Sequence, residues 1–339
     1  MKLSSIHGVA VAAVSLAALA VAPTAVALPN IGVSLDNRAS LEAIAAASGR
    51  PAECAPVQGV KKRNRKPSVW ERAKSPQLVE YCDLVAKAHL SIESDPAKAI
   101  ELTDKAIAVW PDMPGARVAR GRALVEQGKF ADALEELERA DAKDRRALEE
   151  PRAMRARARA LVKTGRIPEG AGFYRTLVPR TTLMPDALRA RVLLEAAFAV
   201  MADAAASKAG SLSLDEANAF VDEAREVAGS ALHGDIMLTE VLVHDRAGEP
   251  EKARTSLEEA ALLVASAPDA TSYVADPSDA LAVRAVALEI VDPSQASAAW
   301  DAFIQKTSVG AFKDAATARK ANLGAPKKSK KERRGEGQP

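Results

Sequence analysis

"RGRALVEQGKFADALEELERA", Arg120 to Ala140, and "RARALVKTGRIPEGAGFYRTL", Arg157 to Leu177, are two versions of one pattern. Both open Arg-x-Arg-Ala-Leu-Val, and both set a glycine, Gly128 or Gly165, before a basic and then an apolar residue. Glycine tolerates positive φ, so each stretch predicts a helix, a tight turn and a second helix. The first helix cannot bury its apolar stripe alone; it needs a partner, and the pair needs a neighbouring copy.

The pattern resembles the tetratricopeptide repeat, a helix-turn-helix unit of about 34 residues. In the clearest copy, about Pro114 to Ala147, the resemblance makes Gly121 the small residue where the helices approach and Leu124 the large core residue. Gly128 is then the turn glycine, Phe130 the turn aromatic, and Ala133 and Ala140 the small contacts of the second helix. A copy upstream, Glu80 to Met113, supplies Ala99 and Ala106 and a closing Pro111. A third, Pro151 to Leu183, follows after three extra residues, with Gly170 and Tyr174 in the small and bulky positions of its second helix.

Further copies are fainter. Pro185 to Lys208 reads as one long alanine-rich helix, Gly210 to Ser213 as a break, and the partner helix carries Ala217 and Ala224. A fifth copy, Gly234 to Pro268, has Gly248 in its turn, with Pro250 where an aromatic is expected. Asp276-Pro277-Ser278 and Asp292-Pro293-Ser294 each read as an N-cap followed by proline at the first helical position, and another helix is expected from Gly310 to Asn322. The expected fold is all-α: an α-solenoid of five helical hairpins closed by a helical C-terminal cap. Arg117, Arg120 and Arg157 depart from the family pattern, standing where large apolar residues are expected.

Composition agrees with helix. Hydrophobic residues make up 48% of the 339-residue chain but aromatics only 4%, alanine dominates, and β-branched runs are scarce. The formal net charge is +2, while Lys61 to Pro67 holds five bases and Pro326 to Pro339 six bases against two acids. The helical body between them is therefore acidic and carries two basic arms.

An apolar run from Val9 to Ala22, followed by Ala25-Val26-Ala27, has the form of an export signal cut after Ala27. The run is shorter than the roughly 20 residues that span a bilayer. Export to a periplasmic or secreted location would give Cys54 and Cys82, the only cysteines, an oxidising compartment in which to pair. The other reading is two unpaired buried thiols. The expected organisation is a signal peptide over 1–27, an arm with the basic loop over 28–79, repeats over 80–268, the cap over 269–323, and a disordered basic tail over 324–339.

No Gly-x-Ser-x-Gly elbow, phosphate-cradling loop, His-Glu-x-x-His or metal-spaced cysteine pair occurs. No catalytic residue, cofactor or metal site is expected, and the chain is read as a non-catalytic binder. His89 and His244 fall inside predicted helices and His233 in a turn, which suits satisfied packing residues. The pairs Glu135-Glu136 and Glu258-Glu259 read as a solvated helix face.

First-helix arginines stand out: Arg117, Arg120, Arg122, Arg152, Arg155, Arg157 and Arg159. The resemblance implies that first helices line a concave groove for a partner's peptide or helix, with Arg122, Arg155 and Arg159 facing it. Guanidinium groups grip carboxylates at two points, so an acidic peptide or a free C-terminus is the expected ligand. The family's carboxylate clamp also needs asparagines where Ala88 and Ala119 stand, so that subtype is not expected. The competing reading has these arginines lying over alanine-rich surface, paired with acids such as Glu126 and Glu136. Function then reads as an exported scaffold binding an envelope or secreted protein. The alternative is tethering, in which the basic arms hold anionic surface material and the helical body is structural. Nucleic acid is not an expected partner, since the body is acidic and shows no base-stacking platform.

Overall fold

A computed structural model of the chain describes residues 51–54, 76–206, 214–229, 232–265 and 273–323. The expected signal peptide, the basic loop, the break at 210–213 and the basic tail lie outside those residues. Among the described residues there are thirteen α-helices and no strands. We number them α1 (Pro76–Ser91), α2 (Pro96–Val109), α3 (Pro114–Glu126), α4 (Phe130–Lys143), α5 (Pro151–Lys163), α6 (Ile167–Leu177) and α7 (Asp186–Ala206). There follow α8 (Asp215–Val227), α9 (His233–Arg246), α10 (Pro250–Ala260), α11 (Pro277–Val291), α12 (Pro293–Lys306) and α13 (Gly310–Ala321).

Consecutive helices pack as hairpins, α1 with α2 through to α11 with α12. First helices also touch one another along the row: α1 with α3, α3 with α5, α5 with α7, α7 with α9 and α9 with α11. Second helices pack chiefly against the helices directly before and after them in sequence. The row is therefore tighter on the first-helix side, which is the inner face of a solenoid.

Local sequence explains the joints. Gly128 adopts φ 74°, and the chain turns there with Gly128 N–H donating to Val125 and Lys129 N–H to Leu124. That pairing satisfies the carbonyls a helix end leaves open. The same two bonds recur at Gly165, to Val162 and Leu161, and at Gly248, to Asp245 and His244. Pro250 does not disturb the last turn, because it opens α10 where its missing N–H is not needed. Asp95 and Asp276 cap α2 and α11 by accepting from Lys98 N–H and Ser278 N–H.

Small residues set the spacing within hairpins. A Cβ on Gly121 would lie 2.7 Å from Leu137 Cγ, and one on Gly170 would lie 2.4 Å from Val162 Cγ2. On the second helices, Ala99 and Ala106, Ala133 and Ala140, Ala217 and Ala224, and Ala253 and Ala260 are all fully buried. With so little side-chain volume between them the helices come close, and long side chains must do the reaching.

The two ends are closed differently. At the start, a disulfide joins Cys54 to Cys82 of α1. Bridging a loop of this length stabilises by roughly 3 to 4 kcal/mol through the unfolded chain. The pinned segment brings Glu53 to the start of α3, where its Oε1 accepts from Gly115 N–H at 2.9 Å and from the Tyr81 hydroxyl at 3.0 Å. Tyr81 in turn accepts from Ala116 N–H at 2.9 Å. Met113 offers α3 no side-chain cap, so a residue from far upstream supplies one. At the other end α13 folds back on α9 as well as α12. Arg319 of α13 grips Glu289 of α11 at 2.8 and 3.0 Å, while buried Arg246 of α9 pairs with Asp279 of α11 beneath the Phe312 ring.

Adding a methyl at Gly121 forces Leu137 aside, so Gly121→Ala is expected to lower stability by about 1–3 kcal/mol. Gly128→Ala meets open space but holds alanine at positive φ, which costs about 1 kcal/mol. Urea unfolding of the two variants measures both losses.

Candidate functional site

On α5 the arginines at 152, 155 and 159 fall on one helical stripe. The stripe faces Arg122 and Glu126, one turn apart on α3, across a shallow open cleft that Ile92, Glu93 and Leu188 of α7 also line. Arg122, Arg155 and Arg159 thus meet on the inner face, and Arg152 joins them. The one-stripe spacing with Arg155 and Arg159 is the sequence signal that includes Arg152.

The four arginines are not equivalent. Arg155 binds Glu195 of α7 with both prongs, Nε to Oε2 at 2.9 Å and Nη2 to Oε1 at 2.7 Å. Tyr174 adds its hydroxyl to Glu195 Oε2 at 3.2 Å, and Arg159 Nε lies 3.6 Å from Oε1. Glu195 is 3% exposed. Burial alone would raise its pKa, but the charges of Arg155 and Arg159, with the hydrogen bonds, more than offset this and hold it below 4.5. Burial pulls Arg155 down, and Glu195 more than restores it, so both members of the pair are charged. Arg159 Nη1 also donates to Glu126 Oε1 at 2.9 Å.

Arg122 is 6% exposed and its Nη1 bonds His89 Nδ1 at 3.1 Å. Burial, then the charges of Arg122 and Arg152, push the His89 pKa down to about 3, so the ring is neutral and accepts from Arg122. Burial and Arg152 also lower the pKa of Arg122, against attraction from Glu150, Glu93 and Glu126. A guanidinium stays charged at any ordinary pH. Among the described residues no carboxylate lies within 4.0 Å of Arg122 or Arg152. The cleft therefore pairs two arginines internally and presents two others without a counter-ion in contact.

The three arginines in place of large apolar residues act between helices. Arg117 bonds Glu136 of α4 at 3.0 Å, Arg120 lies 3.1 Å from Asp104 of α2, and Arg157 bonds Asp141 of α4 at 2.8 Å with its charge over the Phe173 ring. This corrects the reading of Glu136 as solvated: it is buried, because Arg117 and Arg139 both converge on it. Glu135, Glu258 and Glu259 are exposed. His244 is buried between Glu249, at 2.8 Å, and Glu240, at 3.6 Å. Sequence reasoning missed Glu195, whose neighbours on α7 are apolar and whose partner lies on another hairpin.

Among the described residues no group of three or more His, Cys, Asp or Glu is placed to hold a metal ion. None of their helices is long and apolar enough to cross a membrane. Residues 90–158, from the end of α1 into α5, match the family model described as Tetratricopeptide repeat. No curated protein matches the chain.

Glu195→Gln leaves the largely covered Arg155 without its counter-charge, an expected loss of about 3–5 kcal/mol at pH 7. Because the folded carboxyl titrates below 4.5, the native pair contributes above that pH and fades as pH falls below it. Urea unfolding of both proteins should therefore show the gap narrowing from pH 4.5 downward.

Proposed function

We propose that this tetratricopeptide repeat protein is an exported binding scaffold that takes an acidic peptide segment, or a free C-terminus, of a partner protein into its inner-face cleft. The observation that carries the reading is the pair Arg122 and Arg152, two cations with no carboxylate in contact among the described residues, at an open cleft whose other arginines are already paired. Burial of Arg122 strips it of water, so a carboxylate arriving there replaces solvation that the guanidinium lacks. Arg155 and Arg159 take a positioning role: tied to Glu195 and Glu126, they fix the wall against which the ligand lies. Export is supported by the leader-like run from Val9 to Ala22 and agrees with the Cys54–Cys82 bridge, which an oxidising compartment maintains.

Fluorescein-labelled hexaglutamate with a free C-terminus, titrated against the full chain, tests this by anisotropy. Saturable binding is expected, weakening with added salt. Arg152→Ala, a change at a partly exposed residue without an ion partner among the described residues, should reduce affinity at least about 10-fold, as losing one charge-assisted contact does. Unchanged affinity in Arg152→Ala, or no binding to the parent chain at low salt, would overturn the reading.

A further inference from the structure

We infer that Tyr273-Val274-Ala275 is an intramolecular ligand of the groove, occupying a second subsite beside the arginine cleft and excluding a partner's peptide from it. This rests on the reading of the inner face as a peptide-binding groove and adds its regulation. The three residues precede α11, are non-helical, and are 5%, 2% and 3% exposed. They lie across first helices of three successive hairpins. Lys163 of α5 donates from Nζ to the Val274 carbonyl at 2.6 Å. The Tyr273 ring packs on Phe198 of α7 with centroids 5.8 Å apart, and its hydroxyl donates to Asp235 of α9 at 3.3 Å.

A side chain gripping a main-chain carbonyl, an aromatic seated on an aromatic, and a polar tip held at the far end are contacts by which a groove holds extended peptide. The segment packs into the hydrophobic core through these contacts, and a narrow gap beside it is lined by Arg159, Tyr174 and Glu195. Arg159 lines both this gap and the arginine cleft, so the two spaces share a wall. A peptide seated at Arg122 and Arg152 that continued along the inner face would run into Val274. The tethered segment is present at an effective concentration of order millimolar, so it outcompetes an equivalent free peptide.

The test uses a labelled synthetic peptide of residues 271–276 and the full-length chain carrying Tyr273→Gly, Val274→Ser and Ala275→Gly. The parent chain should show no saturable binding below about 1 mM, and the emptied variant should bind at least about 10-fold more tightly. Adding Lys163→Met to that variant should weaken the binding again. A folded variant that binds the peptide no better than the parent chain overturns the inference. Should the triple change prevent folding, Tyr273→Ala alone vacates the Phe198 face, and the same comparison decides. Hexaglutamate is titrated in parallel: its response to Arg152→Ala reports on the cleft alone, so failure of one reading is distinguishable from failure of the other.

Discussion

Arg155 on Glu195 is the interaction on which the inner face depends. It ties α5 of the third hairpin to α7 of the fourth, it is bidentate, and Glu195 lies almost entirely out of water with the Arg155 side chain 15% exposed. A buried ion pair adds little net stability over a well-packed apolar pair, but a half-pair is severely destabilising. Its consequence is registration: the two hairpins have one arrangement in which the forked guanidinium meets both carboxylate oxygens. Arg159 and Tyr174 gather on the same carboxylate, so the centre of the groove wall is fixed by one acid.

A solenoid built this way needs little bulk. Fully buried alanines on the second helices, with Gly121 and Gly170 at the close approaches, bring helices near to one another. Arginines on the first helices then reach across to acids on neighbouring helices, as Arg117 does to Glu136 and Arg157 to Asp141. The same residue type serves two ends, since an arginine with no acid in contact among the described residues is left at the cleft. Arg122 and Arg152 are in that position, with Glu93, Glu126 and Glu150 acting on Arg122 only at longer range, and what separates them from Arg155 is the position of Glu195.

That division marks what the sequence could and could not tell. Gly128, Gly165, the buried alanines and the Asp276 cap were legible because each answers a demand within a few residues: a positive φ, a close contact at helical spacing, an unsatisfied N–H. The helices starting at Pro277, Pro293 and Gly310 begin where the sequence places them, but Asp292 does not cap as Asp276 does: its carboxylate takes the Ser294 hydroxyl and the Gln295 side chain. Glu53 capping α3, Glu136 buried among arginines, Glu195 inside an apolar helix and Tyr273 crossing the inner face were not legible, because each is set by a partner on a distant hairpin or segment. Half of the candidate site was readable in the same sense: the arginine stripe follows from spacing, whereas which arginines are neutralised follows from tertiary placement.

The Arg155–Glu195 pair sets the inner face by mutual compensation, so that the cost of losing either lies mainly in the charge left behind. A double-mutant cycle by urea unfolding at pH 7, with Arg155→Met, Glu195→Leu and the two together, measures this directly. Each single change is expected to cost about 3–5 kcal/mol, and the double variant to recover most of that loss. A double variant whose destabilisation equals the sum of the two single changes would contradict it.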